Sequence, residues 1–195
     1  MNYYLILLIC ISGYLIGSIP FSYLVAKWTK GIDLRYFGDG NVGASNVERV
    51  AGRKAGTAAF LLDCLKGIFP VFFTIWILKL PEWSGVLAGL SAIGGHNWPV
   101  FLGFRGGKGM STTIGVVGTL VPIESAILLI PLFFLYRFLK HGIFSVMILG
   151  PLLPVLCWLR GRSAGIIWGT IFILLFVYLN GLKNVRKAWR EIRNK

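Results

Sequence analysis

A chain of 195 residues is ordinarily one domain, but 56% hydrophobic residues and a mean hydropathy of +0.74 exclude an ordinary soluble one and describe a polytopic membrane protein. The net charge of +13 falls in short segments between apolar runs, which points away from nucleic acid and toward topology signals and contacts with anionic lipid or phosphate. Cys10, Cys64 and Cys157 lie far apart in apolar runs without metal-ligand spacing; they read as small core residues, and no metal or other cofactor is expected.

From Asn2 to Ala26 no residue is charged, a length that at ~1.5 Å per residue crosses a ~30 Å hydrocarbon core. The leader Met1–Tyr4 lacks the basic start of a secretory signal, so the first span is expected to stay uncleaved. Lys27, Lys30 and Arg35 follow it, which places the N-terminus outside and the next loop in the cytoplasm. Pro20 predicts a kink near that face, with the hydroxyls of Ser18 and Ser22 satisfying freed backbone groups.

A second span runs from about Ala55 to Leu78 and carries Asp63 and Lys66 on one helical face. Charges at that depth face other helices, and the pair reads either as a structural ion pair or as part of a site. Pro81, Glu82 and Trp83 suit an external turn, after which Trp83–Leu102 returns inward.

Parity constrains the remainder. If both polar loops and the basic tail share the cytoplasm, an even number of crossings separates Thr112 from Leu182. Apolar length gives three, roughly Met110–Leu135, Ile143–Leu159 and Ser163–Leu179. A break at Pro122-Ile123-Glu124 restores parity by making two short helices of the first, leaving Arg137, Lys140 and His141 inside, but it puts Arg160 and Arg162 outside against the usual bias. The alternative is one long span with an external tail. In the tail, Leu182, Val185, Trp189 and Ile192 recur at steps of three and four among basic residues, the pattern of an amphipathic helix on an anionic leaflet.

The predicted architecture is therefore an all-α, seven-helix integral membrane protein with some helices short or broken, N-terminus outside and C-terminus cytoplasmic. It forms a single membrane domain over 1–195, with cytoplasmic motif loops at about 35–54 and 103–113 and an amphipathic helix at 182–195.

Those two loops hold the chemistry. Gly38, Gly40 and Gly43 match G-x-G-x-x-G, but no strand precedes them and no βαβ unit fits, which removes the dinucleotide reading. Gly107-Lys108 is followed by Gly109 where a P-loop needs Ser or Thr. What remains is a dense set of donors: amides around Gly40–Gly43 and Gly106–Gly109, and the side chains of Asn41, Ser45, Asn46, Arg49, His96, Arg105 and Lys108. Flexible amides beside cations are what a phosphate needs.

The stretches GSIPFSYLVAK (Gly17–Lys27), GDGNVGASNVERVAGRKAG (Gly38–Gly56), GHNWPVFLGFRGGKGMSTT (Gly95–Thr113) and LKNVRK (Leu182–Lys187) resemble the bacterial acyl-phosphate:glycerol-3-phosphate acyltransferases of the PlsY family. The resemblance implies a bacterial inner-membrane enzyme that moves a fatty acyl group from acyl phosphate to the sn-1 hydroxyl of glycerol 3-phosphate, giving lysophosphatidic acid and phosphate. Its partners would be those two substrates and membrane lipids, and the chain would be monomeric. It implies catalytic roles for Lys108, Arg49 and His96. Substrate or phosphate binding falls to Asp39, Gly40, Asn41, Gly43, Ser45, Asn46, Gly106, Gly107, Gly109, Ser111 and Asn184. The attacking hydroxyl loses its proton to His96 or to a substrate phosphate with a second pKa near ~6 to 7; the phosphate is preferred, His96 orienting groups.

The H-x-x-x-x-D signature of other glycerolipid acyltransferases is absent, since Phe101 follows His96 by five and Val146 follows His141 by five. Asp39 stands where the family usually has Ser, and Asn180-Gly181 where it has Arg-His. Asp39 is expected to pair with Arg35 or Arg49 or to serve as a base. The alternative function is a divergent paralogue, non-catalytic or of altered specificity, that binds phosphate or phospholipid headgroups in the membrane.

Overall fold

The computed structural model describes residues 3–139 and 142–193, with the side chains at 142, 143 and from 182 onward outside that description. The elements among the described residues are all helices, with no strand, and these residues divide into two compact units that meet in sequence at Leu120 and Val121.

In the first unit, α1 (Tyr3–Ser18) and α2 (Phe21–Lys30) form one apolar run of 28 residues interrupted at Ile19-Pro20. The predicted kink is present, because a proline ring cannot follow an α-helical turn and pushes the preceding residue out of it. The freed groups are satisfied differently from expectation. Ile19 C=O accepts from Lys66 Nζ at 2.9 Å, Ser22 Oγ donates to Asp63 Oδ2 at 2.6 Å, and buried Ser18 Oγ has no hydrogen-bond partner among the described residues. The open Ile19 carbonyl is thus taken by the buried Lys66 ammonium and by Phe21 N, not by a local hydroxyl. The run ends at Gly31, left-handed at φ 68°, with Lys27 and Lys30 in its last turn where the helix dipole favours cations.

The short α3 (Ala44–Ala51) leads through Gly52 into α4 (Arg53–Phe72), which closes in one wide turn, Phe73–Ile77, three residues after Pro70. Then come α5 (Glu82–Asn97) and α6 (Met110–Leu120). Helices here approach through small residues, as helices do where lipid offers no hydrophobic drive. A Cβ on Gly17 of α1 would sit 2.1 Å from Ala92 O of α5, and one on Gly115 of α6 would sit 2.1 Å from Cys64 O of α4.

The second unit holds α7 (Pro122–Leu139), α8 (Gly142–Leu149), α9 (Leu152–Leu159) and α10 (Ala164–Arg193). The break expected at Pro122 is there, but only its first half is short: α6 has 11 residues, whereas α7 has 18 and is long and apolar enough to span. The helix expected over Ile143–Leu159 is split at Gly150-Pro151, and the separate tail helix is instead the continuation of a 30-residue α10. Lys140 and His141 lie outside the described residues. Glu124 is fully buried and gripped by Arg162 (Nε 2.8 Å, Nη2 3.0 Å) and Arg160 (Nε 3.0 Å). Arg160 and Arg162, which the seven-helix expectation puts outside against the usual bias, thus serve a buried carboxylate, which would be prohibitively costly alone.

Among the described residues four helical runs, Tyr3–Lys30, Arg53–Ile77, Pro122–Leu139 and Ala164–Gly181, are long and apolar enough to cross a membrane. Large apolar side chains such as Leu65, Phe69, Phe133 and Trp168 stay exposed along them, a surface that lipid covers and water would not tolerate.

Candidate active site

The first loop is built around Asn46. Its side chain is wholly buried; Oδ1 accepts from Asp39 N at 3.1 Å, and Nδ2 donates to the carbonyls of Phe37 (2.9 Å), Asn41 (3.0 Å) and Leu34 (3.4 Å). Upstream, Asp33 caps a single turn, Leu34–Tyr36, and forms a two-pronged ion pair with Arg35 (2.6 and 3.0 Å). The Arg35 guanidinium holds the Asp33 carboxyl below the usual carboxylate range. Asp39 Oδ1 accepts from Asn41 N at 3.1 Å, and its Oδ2 lies 3.1 Å from Arg49 Nη1. Of the two ion pairs open to Asp39, the one with Arg49 is present. Gly40 N donates to Phe37 O, and Gly43 stands extended before α3, its carbonyl accepting from Asn46 N and Val47 N.

The second loop leaves α5 at Asn97, where Tyr14 OH donates to Trp98 O at 2.7 Å. It returns antiparallel to the end of that helix: Gly106 N donates to Asn97 O (3.2 Å) and Gly107 N to His96 O (3.1 Å). Gly107 is where the loops meet. A Cβ there would sit 2.2 Å from His96 Nε2 and 2.5 Å from Val42 O of the first loop, so only glycine allows the approach. Beyond it Gly109, at φ 78°, opens α6, and Ser111 is half-buried in that helix's first turn. Lys108 is half-buried, while Ser45, Arg49 and Arg105 are exposed.

Beneath the meeting point lies a buried charged cluster. Lys66 Nζ is 3.0 Å from Asp63 Oδ1, and His96 Nδ1 is 3.7 Å from the same oxygen. A small pocket joins this cluster to both loops, lined among others by Ser22, Val42, Asp63, Lys66, His96 and Gly106. Buried Asn97, Thr112 and Thr113, around Gly109, keep side-chain polar atoms with no hydrogen-bond partner among the described residues. No group of three or more His, Cys, Asp or Glu able to hold a metal occurs among the described residues. The arrangement offers cations and unspent donors to an anion.

A family model described as glycerol-3-phosphate acyltransferase matches residues 7–191. The chain belongs to the glycerol-3-phosphate acyltransferase family. A family relative from Halalkalibacterium halodurans, named glycerol-3-phosphate acyltransferase, is 36% identical over 193 residues, covering 96% of this chain and 94% of the relative. Glycerol-3-phosphate acyltransferase 4 of Dehalococcoides mccartyi is 48% identical over 118 residues, 60% of this chain and 50% of that one. The match thus spans about half the length of several curated relatives. The crystal structure of PlsY in its glycerol 3-phosphate form, an integral membrane glycerol 3-phosphate acyltransferase, superposes with a TM-score of 0.87 at 30% identity over 96% of this chain and 93% of that one. Its lysophosphatidic acid form gives 0.86 at 29%.

Within this acyltransferase-family chain the structure brings together Gly106, Gly107 and His96 with Val42, and couples Asp39, Asn41, Asn46 and Arg49 in one loop. Asn46, expected to contact phosphate, instead spends its amide on the loop's own backbone: four partners in a fully buried position leave nothing for a ligand. The side chain of Asn184, on α10, lies outside the described residues. Sequence reasoning missed Ser22, Asn97 and the threonines as site-adjacent groups. Asp63 and Lys66 did carry a signal, two charges inside an apolar run, but nothing in the spacing said that His96 would join them.

Proposed function

We propose that this protein transfers a fatty acyl group from acyl phosphate to the sn-1 hydroxyl of glycerol 3-phosphate, releasing lysophosphatidic acid and inorganic phosphate. The observation that carries it is the approach of Gly107, the neighbour of Lys108, to Val42, which brings the two glycine-rich loops together. The PlsY structure bound to glycerol 3-phosphate, similar over nearly the whole chain, supports the choice of acceptor.

The chemistry suits these residues. The sn-1 oxygen attacks the acyl carbonyl carbon, a new ester C–O bond forms, the C–O bond to phosphate breaks, and phosphate leaves with the electron pair. An acyl phosphate is already activated, so the protein's work is to hold two phosphates together against their repulsion and to stabilise the charge that grows between them. Lys108 and Arg49 supply positive charge, with the amides of Gly43 and Gly109 and the side chains of Asn41, Ser45 and Ser111 completing the cradle, while the Gly40, Gly106 and Gly107 amides, expected to bind phosphate, are spent on the carbonyls of Phe37, Asn97 and His96 and shape the turns. The hydroxyl proton passes to a substrate phosphate, whose second pKa is near ~6 to 7, while His96 orients the second loop. Asn184 is kept as a substrate contact on the sequence resemblance alone.

Both units form one membrane domain with seven crossings: the α1–α2 run, α4, α5, the short α6, α7, the α8–α9 pair and α10. The N-terminus lies outside and both motif loops in the cytoplasm, because Lys27, Lys30, Arg35, Arg53 and Lys54 follow the first run. The membrane is the bacterial inner one, and the enzyme acts as a monomer.

Purified protein supplied with acyl phosphate and glycerol 3-phosphate should release phosphate without added CoA or metal. Lys108→Ala should reduce the rate by about a hundredfold or more, the scale of losing a charge that stabilises a transition state. No release with both substrates present overturns the reading. A second reading, a phosphate or headgroup binder that has lost the reaction, is favoured by the Asp39–Arg49 pair, which neutralises a site cation, and by Asn180, whose amide is bonded to its own helix at Phe176 O. Under it, an Asp39→Ser/Gly181→His variant gains activity that the wild type lacks.

A further inference from the structure

The acyltransfer reading leaves unused the charges buried beneath the loops. Asp63 and Lys66 are almost completely buried, yet each reaches beyond the other. Lys66 Nζ donates to Ile19 O, the carbonyl exposed where α1 breaks, and Ser22 Oγ at the start of α2 donates to Asp63 Oδ2. On the other side His96 Nδ1 faces Asp63 Oδ1 at 3.7 Å and has no hydrogen-bond partner among the described residues. The opposite edge of the same imidazole lies against Gly107, the residue that touches Val42 of the first loop. One carboxylate therefore stands behind both loops, toward the first through α2 and toward the second through His96.

We propose that Asp63 is a positioning residue for acyl transfer: it orients the His96 imidazole, which holds the Gly106–Gly109 turn against Val42, while Lys66 neutralises Asp63 and pins the Ile19-Pro20 break. The inference rests on the acyltransferase reading and adds what fixes the spacing of the two phosphate-holding loops. A buried ion pair with no such duty can be exchanged for neutral residues of similar volume with little effect, and that exchange is the test.

Phosphate release is measured for the wild type, Asp63→Asn/Lys66→Met, His96→Ala and the triple variant. Wild-type turnover decides the acyltransferase reading, and the comparison among variants decides the inference; without turnover, affinity for glycerol 3-phosphate takes the place of KM. A merely structural pair lowers the amount of folded enzyme and leaves KM alone. The expected result is a KM for at least one phosphate substrate raised about fivefold or more, with His96→Ala adding no more than about twofold in that background because the residues act in series. Unchanged KM values, or a His96→Ala loss that multiplies in full, overturn the proposal. If the paired variant does not fold, Ser22→Ala removes one donor to Asp63 without unbalancing charge. The KM should then rise a few-fold, and the rise should vanish in the His96→Ala background; an unchanged KM overturns the proposal equally.

Discussion

Asn46 and Asp39 show how side chains of one loop divide between building it and serving a ligand. Asn46 closes the turn by bonding backbone groups of Leu34, Phe37, Asp39 and Asn41, so Asn46→Ala strands several buried polar groups and should cost about 2–3 kcal/mol, read as a lower unfolding midpoint in detergent. Asp39 instead holds Arg49 at 3.1 Å. Asp39→Ser keeps a turn-forming oxygen while releasing the guanidinium, and should lower the KM for a phosphate substrate by about two- to fivefold, the scale of one solvated charge pair. That Asn and Asp cluster near glycines was legible in the sequence. Which of them faces inward was not, because the answer depends on a turn geometry set by contacts as far apart as Leu34 and Asn46.

At the scale of elements, proline and glycine decide where helices stop and how closely they pack. Pro20 and Pro122 announce their breaks in the sequence, and both occur where expected. Gly150-Pro151 carried the same signal inside an apolar run of ordinary span length, and there length misled. The continuity of α10 was hidden for a different reason: a change from apolar to basic side chains alters which surroundings a helix prefers without interrupting its hydrogen bonds. Gly115 packs against Cys64 O with no room for a side chain, so Gly115→Leu should destabilise the protein by about 1–3 kcal/mol, seen as an earlier thermal transition. The turn at Leu34–Tyr36 has its own pH signature. Because Arg35 lowers the Asp33 pKa from its usual 3.8, the pair's contribution is complete above that value and is lost as pH falls through the lowered one. Asp33→Asn should therefore speed hydrogen exchange at Arg35 and Tyr36 at neutral pH, and the difference should disappear only in strong acid.

For the whole molecule, composition told of a membrane protein and the family motifs pointed to the proposed phosphate site, while each compact unit holds buried charges of its own. Glu124 with Arg160 and Arg162 in one unit, and Asp63 with Lys66 in the other, are ionic knots in otherwise lipid-compatible surroundings. The central claim is that both glycine-rich loops close one cup for the neighbouring phosphates of the two substrates, so that glycerol 3-phosphate reaches both loops. With Cys10 replaced by Ser and the buried Cys64 and Cys157 left in place, single cysteines at Ser45 and at Ser111 report one loop each to a charged thiol reagent. Glycerol 3-phosphate should slow modification at both positions with the same half-saturating concentration. Protection at one loop alone, or at two unrelated concentrations, would contradict the account.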